Sequence, residues 1–155
     1  MQQHTNWGII LDPGHGASTA GKRSPDGKYR EYKMARQLAQ SCVKAAQLYG
    51  ISTWLTVEDD TDLGLSKRAQ KANSIMSTFK SGGTGRHTLF ISLHSNAGPG
   101  SSAEWKPYRG WSIYTTIGQN NSDKLATCIY NSVEEEISSK YGVRMRSDFS
   151  DGDPD

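Results

Sequence analysis

The run Trp7-Gly8-Ile9-Ile10-Leu11-Asp12-Pro13-Gly14-His15-Gly16 changes character halfway along. Its first half is short, apolar and rich in isoleucine and leucine, which reads as a buried strand over residues 7–12. Its second half is a Pro/Gly turn that stops the strand. Pro13 fixes its own φ and pushes Asp12 toward an extended backbone. Gly14 and Gly16 flank His15 and have access to backbone angles that a Cβ forbids. An imidazole at the C-terminal end of such a strand stands where open α/β sheets bind ligands. The arrangement recurs in Thr88-Leu-Phe-Ile-Ser-Leu-His94-Ser-Asn96-Ala, so two strands deliver a histidine at the same end.

The chain has 155 residues, a length that fits one domain over 1–155. A formal charge of +2, with no basic run interleaved with aromatics, argues against a nucleic-acid partner. No apolar stretch reaches membrane-spanning length, so membrane insertion is not expected. Met1 to Asn6 has neither a basic n-region nor an apolar h-region, so export by a signal peptide of its own is not expected. Cys42 and Cys128 have no C-x-x-C spacing and read as buried thiols rather than a disulfide or a thiolate metal site.

Downstream of the first strand, residues 17–30 are dominated by turn formers and predict a long loop, with Pro25-Asp26-Gly27 as a defined turn. Met34, Leu38, Cys42, Ala45 and Leu48 recur every three or four residues and predict a helix with Gly50 beyond its C-terminus. Ile51 to Val57 reads as a second strand. The acidic turn Glu58 to Asp62 leads into a second helix, with Leu65, Ala69, Ala72, Met76 and Phe79 as its apolar face. His87 to Leu93 is the most apolar strand and is expected at the centre of the sheet. Gly110 to Thr115 alternates as a fourth strand. Asn121 or Ser122 caps a third helix carrying Leu125, Ile129, Val133 and Ile137, closed by Gly142. Strands separated by helices predict an α/β fold, a mostly parallel twisted sheet flanked by helices in a single domain.

The chemistry concentrates at one sheet edge. If the strands ending at His15 and His94 are neighbours, their imidazoles converge. Glu31 opens the first helix directly after the loop that leaves His15, which puts its carboxylate at the same edge. Two histidines and a glutamate form a His₂Glu set suited to Zn²⁺ with one open position. Taken singly, each residue has a plainer role. A histidine at a strand end is more often a hydrogen-bonding surface residue, and a glutamate at a helix start suits the helix dipole. Asp12 is either a turn former or a partner that orients an imidazole. Arg68 and Asn73 fit the polar side of their helix, and Glu134, Glu135 and Glu136 a solvated one. His4 and His87 lie away from this edge.

Five segments, in order, resemble the zinc-dependent N-acetylmuramoyl-L-alanine amidases of the amidase-3 type, found among cell-wall remodelling enzymes and phage endolysins. Ile9-Ile-Leu-Asp-Pro-Gly-His15-Gly resembles the opening strand and first zinc ligand. Glu31 matches the second ligand. Leu65-Ser-Lys-Arg68-Ala-Gln-Lys-Ala72-Asn73 is similar to the Leu-x-x-Arg-x-x-x-Ala-Asn helix. Phe90-Ile-Ser-Leu-His94-Ser-Asn96-Ala matches the third ligand and its following Asn-Ala. Gly110-Trp-Ser-Ile-Tyr114 resembles the next strand.

The resemblance implies zinc held by His15, Glu31 and His94. It implies hydrolysis of the amide between the lactyl group of N-acetylmuramic acid and L-alanine in peptidoglycan, with Asp12, Asn96 and Arg68 behind the ligands or at the substrate. Trp105 and Tyr108, in the loop over 98–109, are expected substrate contacts. The family's proton shuttle is a glutamate on a final strand resembling Pro-Ala-Val-Leu-x-Glu, and no segment here matches it. The catalytic Glu is therefore expected beyond Asp155, and the chain is read as truncated before its last strand, binding zinc with little turnover. Two alternatives stay open, a non-catalytic zinc-containing peptidoglycan-binding module and another zinc peptidase acting on the stem peptide. The expected place of action is the bacterial cell wall, reached as a phage endolysin at lysis or as a domain of an exported enzyme.

Overall fold

The computed structural model describes residues 5–96, 104–106 and 110–142, which fall into two compact units divided after Trp105. The first unit contains strand β1 (Trp7–Pro13), helix α1 (Glu31–Leu48), strand β2 (Ser52–Leu55), helix α2 (Leu65–Ser81) and strand β3 (His87–Leu93). The strands are parallel, in the order β2-β1-β3. This is the expected α/β architecture.

The order corrects one expectation. β1, not β3, is the middle strand, and β3 stands at the side of the described sheet. Apolar content misled here, because position depends on both faces being covered. β1 is buried from Ile10 to Pro13, whereas Phe90 in the more apolar β3 is 51% exposed. The path from β1 to β2 and the return from β2 to β3 run in opposite directions along the sheet. Right-handed crossovers then place α1 and α2 on opposite faces. Packing agrees: a Cβ on Gly8 would meet Trp54 of β2 and Phe79 of α2, and Asp12, on the same face of β1, pairs with Arg68 of α2.

The α1 stripe is also displaced from the predicted one. Ala35, Ala39 and Ala46 face inward, while Leu38 and Leu48 are exposed. Large side chains dominated the periodicity, but alanine lets the helix lie close against the strands. Leu65 and Ala69 of α2 are likewise exposed, and Arg68, Ala72 and Phe79 are buried. Ala39→Leu is therefore expected to overpack the core by about 1–3 kcal/mol, and Leu38→Gln to stay within about 0.5 kcal/mol of the unaltered chain, both read from urea midpoints.

The local signals hold at several points. Gly50 follows α1 with φ of 66°, and the Pro25-Asp26-Gly27 turn closes with Gly27 N donating to Ser24 O at 2.9 Å. The acidic turn does not supply α2's first turn; Gly64 caps that helix, and Asp62 instead accepts a hydrogen bond from Thr19.

The second unit holds helix α3 (Asn121–Val133), a π-helical turn over Glu134–Ser138 and a short helix α4 (Ser139–Tyr141). The cap of α3 is Asn120, ahead of both expected positions, Asn121 and Ser122, in a reciprocal capping box with Asp123. Gly142 ends α4 with a left-handed φ of 61°. Leu125, Ile129, Val133 and Ile137 are half-buried. Residues 110–116 form no strand; Trp111 stacks on Tyr130 at 6.2 Å instead. Both cysteines are free, as expected, but Cys42 is only half-buried and Cys128 is exposed. His4, Tyr108 and most of the 98–109 loop lie outside the described residues. Among the described residues, no helix is long and apolar enough to cross a membrane.

Candidate metal centre

The connections leave β1 in opposite directions along the sheet, and this switch opens a crevice between the C-terminal ends of β1 and β3, the usual ligand position in sheets of this kind. Pro13 pairs with Leu93 there, and Gly14 N extends the ladder by donating to Leu93 O at 2.9 Å. His15 and His94 thus leave adjacent strand ends, and their rings meet edge to face at 4.8 Å between centroids. Glu31 enters the same crevice from the first turn of α1, where the helix N-terminus favours its negative charge.

Three donor atoms face one point. Glu31 Oε1 lies 3.3 Å from His15 Nε2 and 3.1 Å from His94 Nδ1, and the two ring nitrogens are 3.2 Å apart. Ligand atoms held at about 2.0–2.2 Å around one tetrahedral zinc lie about 3.3–3.6 Å from one another. The observed triangle is that of a zinc face contracted by a few tenths of an ångström. The donor chemistry fits too, since nitrogen and carboxylate oxygen are zinc ligands. Burial, helped by His94 and Lys22 and opposed by the Glu31 and Asp62 carboxylates, holds the His15 imidazole below its ordinary pKa of 6.5. That favours the neutral ring a metal needs. Glu31 Oε1 also accepts the Ser95 backbone N–H at 2.9 Å, which fixes the carboxylate.

Burial is graded across the set. The Glu31 side chain is 5% exposed, His15 20% and His94 45%, so the open approach lies on the His94 side. Tyr29 reaches this side, with its hydroxyl hydrogen-bonded to Ser95 Oγ.

The glycines act through space rather than through φ. Neither Gly14 nor Gly16 has a positive φ; His15 itself does, at 58°. A Cβ on Gly14 would overlap the His94 imidazole, and one on Gly16 would overlap the backbone at Thr61 and Asp62. Gly14→Ala is expected to push His94 out of the triangle and weaken zinc binding about tenfold or more, measured by competition with a chelator.

Asp12 is linked to the His15 backbone through Arg68, which donates to both, rather than to an imidazole directly. It is buried, accepting from Thr56 Oγ1, from Arg68 Nη1 at 2.8 Å and from Ser92 Oγ at 2.9 Å. Burial works to raise its carboxyl pKa, but these hydrogen bonds and the Arg68 charge outweigh it and hold the group below 3.8. Arg68 is 4% exposed, not on the polar side of α2, because Asp12 and backbone carbonyls satisfy its guanidinium. Asn73, Asn96 and Trp105 are exposed. Arg36, which carries no motif, was not singled out from sequence, yet it donates to the carbonyls of Pro13, Gly14 and His15.

Comparison with known proteins agrees with this reading of the fold. CwlM, an N-acetylmuramoyl-L-alanine amidase of Bacillus licheniformis, is 28% identical over 108 residues, which are 70% of this chain and 39% of that protein. The match thus spans well under half the relative's length. The catalytic domain of CwlV, an amidase from Bacillus (Paenibacillus) polymyxa var. colistinus, superposes with a TM-score of 0.59 at 22% identity, over 89% of this chain and 66% of that one. AmiC2 of Nostoc punctiforme gives 0.69 at 19% identity, over 93% and 68%. At these identities the structural likeness is one of fold. Residues 9–150 match the family Amidase_3, N-acetylmuramoyl-L-alanine amidase, and with that match running from β1 to beyond α4 the chain belongs to this family.

Proposed function

We propose that the chain, as one catalytic domain over 1–155, binds zinc through His15 Nε2, Glu31 Oε1 and His94 Nδ1. With it the protein hydrolyses the amide between the lactyl group of N-acetylmuramic acid and L-alanine in peptidoglycan. The observation that carries this reading is the donor triangle at the ends of β1 and β3, with edges of 3.1, 3.2 and 3.3 Å. When bound, zinc supplies a Lewis acid for the amide carbonyl and acidifies water.

The residues do the rest. Glu31 brings one negative charge that offsets part of the metal's, and its burial keeps bulk water from one side of the site. The two imidazoles set the direction of the open position toward the exposed His94 side. Trp105, 69% exposed, and Tyr108 are proposed to stack on sugar or peptide. Asn96, two residues past His94, is proposed to meet the substrate. Acid–base transfer to the leaving amine requires a further group, and no segment here matches the family's Leu-x-Glu strand. Turnover by these 155 residues is therefore expected to be slow. Action at the bacterial cell wall follows from the substrate, with phage endolysin as one source.

The second reading is a module that binds muropeptide without cutting it. Incubating the chain with an equal amount of a defined muropeptide separates the possibilities. Slow appearance of free L-alanine N-termini, stopped by chelation and restored by zinc, is expected. Binding with no product would favour the module, and cleavage within the stem would favour a zinc peptidase.

A further inference from the structure

Arg36 leaves α1 one turn after Glu31 and spends all of its hydrogen-bonding capacity on main-chain carbonyls. Nη1 donates to Pro13 O at 3.0 Å and Gly14 O at 2.9 Å. Nη2 donates to His15 O at 2.8 Å and Thr61 O at 3.2 Å, and Nε to Asp59 O at 3.0 Å. A guanidinium has five N–H donors in a fixed fork, and each one here has a carbonyl. The acceptors belong to two different loops, the one that carries His15 and the one that links β2 to α2. Arg68 reaches the same place from the opposite face of the sheet, donating to Pro13 O at 2.7 Å and His15 O at 3.1 Å. The His15 carbonyl is thus held between two guanidinium groups.

His15 needs such a hold. Its φ of 58° lies in the left-handed region, where an L-residue with a Cβ is disfavoured. Such a conformation persists only where the surroundings over-determine it. The direction in which the imidazole leaves the backbone follows from that φ. A return to negative φ would turn Nε2 away from Glu31 and His94.

Resting on the zinc reading above, we propose that Arg36, with Arg68 as its partner, is a positioning residue for the metal centre. It locks the His15 backbone in the left-handed conformation that aims Nε2 at the metal. The role belongs to arginine specifically, because an ammonium has three donors and no fork with which to span five carbonyls.

The test uses the 155-residue chain with Arg36→Gln and Arg36→Lys, and Ala39→Leu as a control that strains the same helix away from the site. Zinc dissociation constants are measured by chelator competition at a temperature where circular dichroism shows each chain folded. The visible absorption of the cobalt-loaded chains reports ligand geometry. Arg36→Gln is expected to weaken zinc binding about tenfold or more and to alter the cobalt bands. Arg36→Lys should recover part of the loss, and Ala39→Leu should match the unaltered chain in both readouts. If Arg36→Gln does not fold, Arg36→Lys is compared with Ala39→Leu in the same way. Unchanged zinc affinity and cobalt bands in a folded Arg36 variant would overturn the positioning role while leaving the ligand reading intact. Absence of zinc binding by the unaltered chain would overturn both.

Discussion

Arg68→Ala is expected to destabilise the fold by about 3–5 kcal/mol, the usual cost of removing one partner from a buried ion pair. Arg68 and Asp12 are both buried, their charged atoms 2.8 Å apart. Truncation leaves the Asp12 carboxylate with the Thr56 and Ser92 hydroxyls and no cation. It also removes the donors that hold the carbonyls of Pro13, Leu63 and His15. Against a typical total of about 5–15 kcal/mol, the loss is a large part of the stability and is read as a fall in the urea midpoint.

The pH dependence of that loss identifies its cause. In the unaltered chain the Asp12 carboxyl is held below 3.8. Its contribution is therefore present above that value and disappears as pH falls through the lower folded pKa. In Arg68→Ala the lowering by Arg68 is gone, and burial pushes the carboxyl upward. The gap between the two chains should narrow as pH falls through the variant's raised carboxyl pKa and Asp12 takes up a proton. Adding Asp12→Asn to Arg68→Ala should recover part of the stability at neutral pH, since it removes the buried unpaired charge.

Glu31→Gln is expected to weaken zinc binding by more than about a hundredfold. Loss of groups that merely orient ligands costs about 10–100-fold, and Glu31 is proposed as a ligand itself. The amide keeps the volume of the side chain and can still accept the Ser95 N–H that Glu31 Oε1 accepts at 2.9 Å. It removes the negative charge that both imidazoles face. Chelator competition measures the affinity, and the melting temperature of the metal-free chain separates a lost ligand from a lost fold. A large fall in affinity with little change in metal-free stability is the expected pattern.

Much of this arrangement was legible in the sequence because the deciding features are local. Pro13 and Gly14 after an apolar run announce a strand end, and a histidine directly past such an end points into the crevice wherever the strand lies. That His15 and His94 become neighbours follows once β1 and β3 pair. The inward face of α1 was not legible. Leu38 and Leu48 outweigh Ala35 and Ala39 in any hydropathy count, yet the alanines pack inward because they allow close approach. The middle place of β1 was hidden for a related reason, since apolar content does not report which strand is covered on both faces.

Arg36 was missed because its partners are carbonyls, which every sequence has and none displays. One signal was available. The β1–α1 loop leaves backbone acceptors near buried surface, where they require donors, and a cation one turn after the helix-opening Glu31 stands within reach of them. The expected strand over 110–115 failed because alternation alone does not supply a pairing partner, and Trp111 packs on Tyr130 instead.

His15, Glu31 and His94 are proposed to form one zinc site. Its most direct test is the zinc content of the purified 155-residue chain, reloaded with metal and dialysed, beside the single variants His15→Ala, Glu31→Ala and His94→Ala. Close to one zinc per unaltered chain and strong loss of the metal in each folded variant are expected. An unaltered chain that folds and retains no zinc, or variants that retain it fully, would contradict the proposed site.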